Sequence, residues 1–188
     1  TLDPPWIFSS TTDGRIQISG DNVPKTGNFH LHMDSSDDYA LNEVVLPIDL
    51  TGQTDVVLSF YYNRYFDFNA YIPETFSGSY QGGGVSVSTD GETWYKATDL
   101  STAPMFEYLR YVVDVDELCS DHGLAIDDTF FIKFQHYGDD SLISGGAGYD
   151  DISIGSSVFP VAPELVSPLN NSDFLSTSVL LQEIGRAS

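Results

Sequence analysis

Residues 56–63 read Val-Val-Leu-Ser-Phe-Tyr-Tyr-Asn, and their alternation decides the fold class. Val56, Leu58, Phe60 and Tyr62 fall on one face of an extended chain, with Val57, Ser59, Tyr61 and Asn63 on the other. That is the period of two expected of a strand with one face on a core. The same period returns on either side. Upstream, Arg15-Ile16-Gln17-Ile18 alternates, and Phe29, Leu31 and Met33 share a face opposite His30 and His32. Val44, Leu46, Ile48 and Leu50 form a further stripe, in which Pro47 marks an edge or an irregular position. Downstream, Val85 and Val87 alternate with Ser86 and Ser88, and Thr89-Asp90-Gly91 turns the chain into Thr93-Trp94-Tyr95 as a hairpin. Leu109 to Val115, Phe130 to His136 and Asp150 to Ile154 repeat the pattern. Helical periodicity is nearly absent, apart from a short turn near Asp116 to Ser120. Short strands between turn clusters predict an all-β sandwich.

Composition narrows the function classes. The 188 residues carry 28 Asp plus Glu against 7 Lys plus Arg, a formal charge of −21. A charge of that sign repels phosphate, which excludes nucleic acid and anionic membrane as partners. The acids divide into 21 Asp and 7 Glu, and Asp favours turns, caps and hard-cation sites over helices. Hydrophobic residues at 41% and aromatics at 13% supply a core despite the charge. No apolar run approaches the roughly 20 residues that span a bilayer, so membrane insertion is not expected. Cys119 is the sole cysteine and reads as a small buried hydrophobe. One cysteine by itself points to a reducing compartment, whereas an acidic, Lys-poor, Tyr-rich composition fits a secreted setting. The start at Thr1, with neither Met nor a charged-then-apolar leader, reads as a mature or excised fragment. Residues 1–157 form one module, 158–168 are a Pro-rich linker, and 169–188 are either the start of a following domain or a tail.

The order of motifs resembles MAM-type domains. Asp21, then Gly27-Asn28-Phe29-His30-Leu31 and the Val44 to Leu50 stripe, resembles their opening. Leu58-Ser59-Phe60-Tyr61-Tyr62, Gly84-Val85-Ser86-Val87-Ser88 and Phe131-Ile132-Lys133-Phe134 resemble their middle strands. Gly148-Tyr149-Asp150-Asp151-Ile152-Ser153-Ile154 resembles the closing strand. The cysteines of animal MAM domains are missing, so the likeness is to a bacterial MAM-like, galactose-binding-like jelly roll of secreted or cell-surface proteins. It implies a two-sheet antiparallel jelly-roll β-sandwich, one structural cation, and binding or adhesion more often than catalysis.

Asp150 is the residue with the clearest metal reading. If Ile152 and Ile154 face the core, a period of two turns Asp150 inward as well, and a buried carboxylate must be neutral, paired or metal-bound. With so few Lys and Arg to pair it, Ca²⁺ is the expected partner, and the resemblance points the same way. Asp21, Asp34 and Asn28 are the further candidate ligands, against the alternatives that Asp150 caps a turn and the others are solvated loop residues. His30 and His32, two apart on a strand, could hold zinc with an outside carboxylate, but exposed strand residues of any type show that spacing. His136 sits on an apolar face and reads as a core histidine.

Residues 60–80 concentrate aromatic rings among amides and charges. Rings stack on the C–H faces of sugars while amides and acids bond hydroxyls, so Tyr61, Asn63, Arg64, Tyr65, Tyr71 and Tyr80 are the candidate carbohydrate contacts. The competing reading is a long loop packing itself down with its own rings. The glycine runs at 78–84 and 145–148 precede no helix and no Lys follows them, so they are not phosphate cradles. No Ser/His/Asp order or nucleophile elbow appears, and acid pairs such as Asp37-Asp38 read as loop residues. The chain is therefore expected to be a non-catalytic, calcium-stabilised, extracellular bacterial module that binds carbohydrate or a cell-surface glycan. A structural or adhesive spacer beside neighbouring domains of a surface protein or secreted hydrolase is the alternative, and a glycan-active enzyme a third.

Overall fold

The computed structural model describes residues 6–66, 70–139 and 145–156. The linker and the following segment expected at 158–168 and 169–188 lie outside them, as do residues 67–69 of the aromatic stretch. In chain order the elements are β1 (Ile7–Ser10), β2 (Gly14–Ser19), β3 (His30–Ser35), β4 (Ala40–Ile48), β5 (Val56–Arg64), β6 (Thr75–Ser77), β7 (Gly84–Ser88), β8 (Thr93–Asp99), β9 (Leu109–Asp114), α1 (Val115–His122), β10 (Phe130–Gly138) and β11 (Ala147–Ser156). One sheet has six strands in the order β1-β4-β10-β7-β8-β6, the other five in the order β2-β3-β11-β5-β9. All the neighbouring pairs are antiparallel. The two sheets form a jelly-roll β-sandwich, as the strand pattern predicts.

The core lies between the sheets because each strand presents its apolar set inward. Leu58, Phe60 and Tyr62 of β5 meet Phe130, Ile132 and Phe134 of β10 and Tyr149 of β11, all essentially inaccessible. Phe60 stands edge-on to Phe134 at 5.8 Å and tilted to Tyr149 at 5.9 Å, arrangements that add to the area the rings bury. The Tyr149 hydroxyl donates to Gln135 O at 3.0 Å, so its buried polar end is satisfied. The β7–β8 hairpin turns at Asp90, whose carboxylate accepts from Glu92 N, Thr93 N and the Ser88 hydroxyl. These donors hold its pKa down at about 2. The weak turn near Asp116 is a full helix. The Asp114 side chain caps it by accepting from Glu117 N at 2.9 Å, and Gly123 ends it in the left-handed conformation at φ 67°.

Three sequence expectations differ from the structure. Phe29 precedes β3 and is 63% exposed, so it does not share the buried face of Leu31 and Met33. The short strands β1 and β6 have no counterpart in the pattern. Most consequentially, Asp150 does not face the core. Asp150 pairs with Tyr61 but Ser153 pairs with Ser59, so three steps along β11 answer two along β5. The extra residue is accommodated at Asp151, which has φ 48°. This bulge lets Tyr149 and Ile152 both pack on the core and turns Asp150 to the opposite face.

Candidate functional site: a cleft on the outer face of the five-stranded sheet

Strand register assembles this face in two cross-strand rows. Gln17, His32, Gly148 and Asn63 form one, and Asp150, Tyr61 and Arg110 lie in the next, which Ser19 and His30 share on β2 and β3. Every residue of β3 is buried on both faces, because loops cover the side away from the core. Residues 22–25 and 105–108 supply much of that cover, and beside them opens a cleft of about 650 Å³. Asn22, Val23, Pro24 and Lys25 line one wall, and Asn63, Tyr65, Phe66, Phe106, Glu107 and Tyr108 the rest. The volume lies within the roughly 300–1,000 Å³ range of small-ligand sites.

A hydrogen-bond chain fixes the wall of the cleft. The Tyr65 hydroxyl donates to Asn22 O at 3.0 Å and lies 3.3 Å from the Tyr108 hydroxyl. The Tyr108 hydroxyl makes a short hydrogen bond with His30 Nδ1. Gly148 permits it: a Cβ there would stand 2.6 Å from the Tyr108 hydroxyl and 2.7 Å from His30 Nδ1. His32 Nε2 donates to Gly145 O at 2.9 Å, which fixes that ring's orientation. Burial pulls the His30 imidazole below its ordinary pKa, with His32 acting in the same direction and Asp150 and Asp21 opposing. Burial pushes the Tyr108 and Tyr65 phenols up. These directions keep His30, Tyr65 and Tyr108 in their neutral forms at ordinary pH.

Asp150 anchors the 22–26 loop. Its Oδ2 accepts from Lys25 N at 2.7 Å and Thr26 N at 3.1 Å, and its Oδ1 accepts from Asp151 N at 2.8 Å. Three backbone donors satisfy this carboxylate without an ion. Asp34 is taken by Arg15, at 2.9 Å and 2.5 Å to its two oxygens, and Asp21 accepts from the Ser19 hydroxyl. Asn28 is exposed in the loop before β3. Among the described residues no group of three or more His, Cys, Asp or Glu side chains is placed to hold a metal ion. Of the residues expected to hold calcium, Asp150, Asp34 and Asp21 thus have hydrogen-bond or ion-pair partners in the fold.

The aromatic stretch divides between the two sheets. Asn63 and Tyr65 line the cleft, and Tyr61 lies beside it with the Lys25 ammonium 5.0 Å from its ring centroid. Arg64 donates to Ser101 O instead, and Tyr71 is exposed without lining the cleft. Tyr80 packs on Phe76 against the outer face of the six-stranded sheet, where Gln135 donates to Tyr80 O and Gly82 O, both at 2.8 Å. Part of the stretch therefore is a self-packing loop. The rings left open at the cleft are Phe66 and Phe106, each about half exposed and edge-to-face at 4.6 Å. Phe106, Asn22 and Tyr108 belong to loops whose sequence has no period, so pattern alone does not single them out. The backbone there is unusual: Asn22, Val23 and Phe106 adopt φ 57°, 55° and 62°. A β-branched or bulky residue in that region is strained by about 1–3 kcal/mol, and such strain collects at functional loops.

Two residues of the cleft lining, Asn63 and Asn22, each carry a buried side-chain atom with no hydrogen-bond partner among the described residues, Oδ1 and Nδ2 respectively. Leaving such a group buried and unpaired costs about 1–3 kcal/mol, so both favour an incoming partner. Two amide side chains and two open rings lining one cleft suit a ligand with hydroxyls and apolar C–H faces.

No family model matches the chain, and neither does any curated protein. Solved structures match in fold. TmCBM61, solved in complex with beta-1,4-galactotriose, matches with a TM-score of 0.50 at 12% identity, over 81% of this chain and 89% of that one. The CBM22-1 xylan-binding domain of Paenibacillus barcinonensis Xyn10C matches at 0.43 and 9%, over 79% and 84%. The enzymatically active domain of bacteriophage CBA120 tailspike protein 4 matches at 0.48 and 16%, over 81% of this chain but 19% of that one. The likeness is one of fold, a two-sheet β-sandwich shared with TmCBM61.

Proposed function

We propose that the chain is a carbohydrate-binding module whose site is the cleft between residues 22–25 and 105–108. The observation that carries the reading is the pairing of open Phe66 and Phe106 rings with the Asn63 and Asn22 side chains in the lining of one cleft. The solved relatives of this fold that bind galactotriose and xylan support the ligand class. The arrangement holds a sugar without cleaving it: among the described residues the lining carboxylate is Glu107, and the nearby Asp150 is occupied by backbone donors. Kinship with MAM domains, adhesion and a place outside the cell belong to the same proposal, since polysaccharides of this kind are met there.

Calorimetric titration against a panel of oligosaccharides tests the reading. Binding is expected, weakened roughly tenfold (about 1.4 kcal/mol) by Phe106→Ala and by a similar factor by Asn63→Ala, with melting temperatures of the variants checked in parallel. A panel without any binder, or variants that bind as wild type does, would contradict it.

Calcium is a separable proposal. If residues of the expected set, Asp150, Asp21, Asp34 and Asn28, closed on an ion, adding calcium to chelator-stripped protein would raise its melting temperature. The backbone N–H groups already on Asp150 favour no shift.

A further inference from the structure

Resting on that reading, we infer that Val23 is a ligand contact: its apolar side chain, held with Phe66 and Phe106 in the lining of the cleft, meets a C–H face of the bound sugar. The backbone points to it first. Among the described residues, the non-glycine residues with positive φ are Asn22, Val23, Asp55, Phe106 and Asp151. Asn22, Val23 and Phe106 line the cleft, and Asp151 bonds the 22–26 loop through the Thr26 hydroxyl. Asn and Asp tolerate the left-handed region, whereas a β-branched or aromatic residue enters it only under strain. Val23 also precedes Pro24, and a residue before proline favours extended backbone. The two residue types least suited to this conformation, Val23 and Phe106, thus both belong to the cleft.

Packing does not account for them. Val23 is 79% exposed and Phe106 53%, so neither offsets its strain by burying its side chain. The loops hold them there all the same. Asn22 O, the carbonyl just before Val23, accepts from the Tyr65 hydroxyl at 3.0 Å. Beyond Val23, Asp150 accepts from Lys25 N at 2.7 Å and Thr26 N at 3.1 Å. Phe106 N donates to Arg64 O at 2.8 Å, and the Phe106 ring rests edge-to-face on Phe66. Strain that the surrounding structure maintains at exposed apolar residues is explained by a partner that covers them. An isopropyl group offers no hydrogen bond, so a sugar hydroxyl brought against it would lose its water unpaired, and a C–H surface is what it accommodates. Fixing the side chain beforehand also spares the complex the cost of ordering a loop.

Two variants of the full chain separate contact from strain, each titrated with an oligosaccharide panel that includes β-1,4-galacto- and xylo-oligosaccharides and melted in parallel. Val23→Ala keeps a Cβ, and with it the strain, but loses two methyl groups. It is expected to bind at least about fourfold more weakly, the worth of one buried methylene, with its melting temperature unchanged. Val23→Gly relieves the strain, and should weaken binding likewise while its melting temperature stays at the wild-type value or rises by up to about 4 °C. Wild-type affinity in Val23→Ala, with Phe106→Ala weakened, overturns the inference and leaves the cleft a sugar site. A melting temperature that falls in Val23→Gly gives Val23 a structural role and overturns it too. Wild type that binds no oligosaccharide of the panel removes the reading on which the inference rests, and the inference with it.

Discussion

At the scale of single residues, His30 links the sheet to the cleft wall. Its Nδ1 is tied to Tyr108, which is in hydrogen-bonding range of Tyr65, and both tyrosines line the cleft. The groups facing it are His32, Asp21, Asp150 and Tyr108, and burial dominates, so its folded pKa lies below the ordinary 6.5. Above that value the folded and unfolded imidazoles are both neutral and pH has no leverage through His30. Below it the unfolded ring takes up a proton that the folded ring refuses, so the unfolded state binds more protons and stability falls with pH. The loss ends once pH reaches the depressed folded value. Urea unfolding at pH 7.5 and 5.5 should therefore show wild type losing stability over this window, and His30→Asn losing less. Equal losses would contradict the assignment. His30 also shows how far the sequence carries at this scale. Its spacing from His32 is legible, but its burial is not, because the residues that cover it come from loops distant in the chain.

Among elements, the buried ion pair on the outer face of the six-stranded sheet explains why the 71–83 loop is not a free aromatic platform. Lys133 of β10 reaches Glu43 of β4 at 2.8 Å and donates to Gly78 O at 2.7 Å, with the Trp94 ring 4.0 Å away. Ser79 donates to the other Glu43 oxygen, so the loop is fastened at two points. Lys133→Met leaves Glu43 buried without its cation and should cost about 3–5 kcal/mol in urea unfolding. The double variant Lys133→Met/Glu43→Gln should recover much of that, and a single variant near wild-type stability would contradict the account. The long strands β4, β5 and β10 are plain in the alternation because one face of each meets the core along its whole length. The four residues of β1 and three of β6 are too few for a period to show, and they are strands because β4 and β8 offer them open edges. The bulge at Asp151 is the instructive case. The Asp150, Ile152, Ile154 alternation looks continuous in the sequence, and the extra residue that breaks it leaves no mark there.

For the whole molecule, the −21 charge and the fold act together. Strand alternation gives the sandwich, while the acids sit mostly in the turns between strands, where backbone N–H groups engage several of them, as at Asp49, Asp90, Asp99 and Asp127. No helix among the described residues is long and apolar enough to cross a membrane. The site itself was half legible. Asn63 and Tyr65 emerge from the aromatic stretch, whereas Asn22, Phe66 and Phe106 gain their meaning from loops that meet only in the folded chain. The most direct test of the central claim is a crystal structure of the protein with a neutral oligosaccharide from the titration panel. The account predicts a sugar ring against Phe66 or Phe106, in the cleft that Asn22 and Asn63 line. A sugar seated elsewhere, such as on the stacked Tyr39 and Tyr137 of the other sheet, would contradict it.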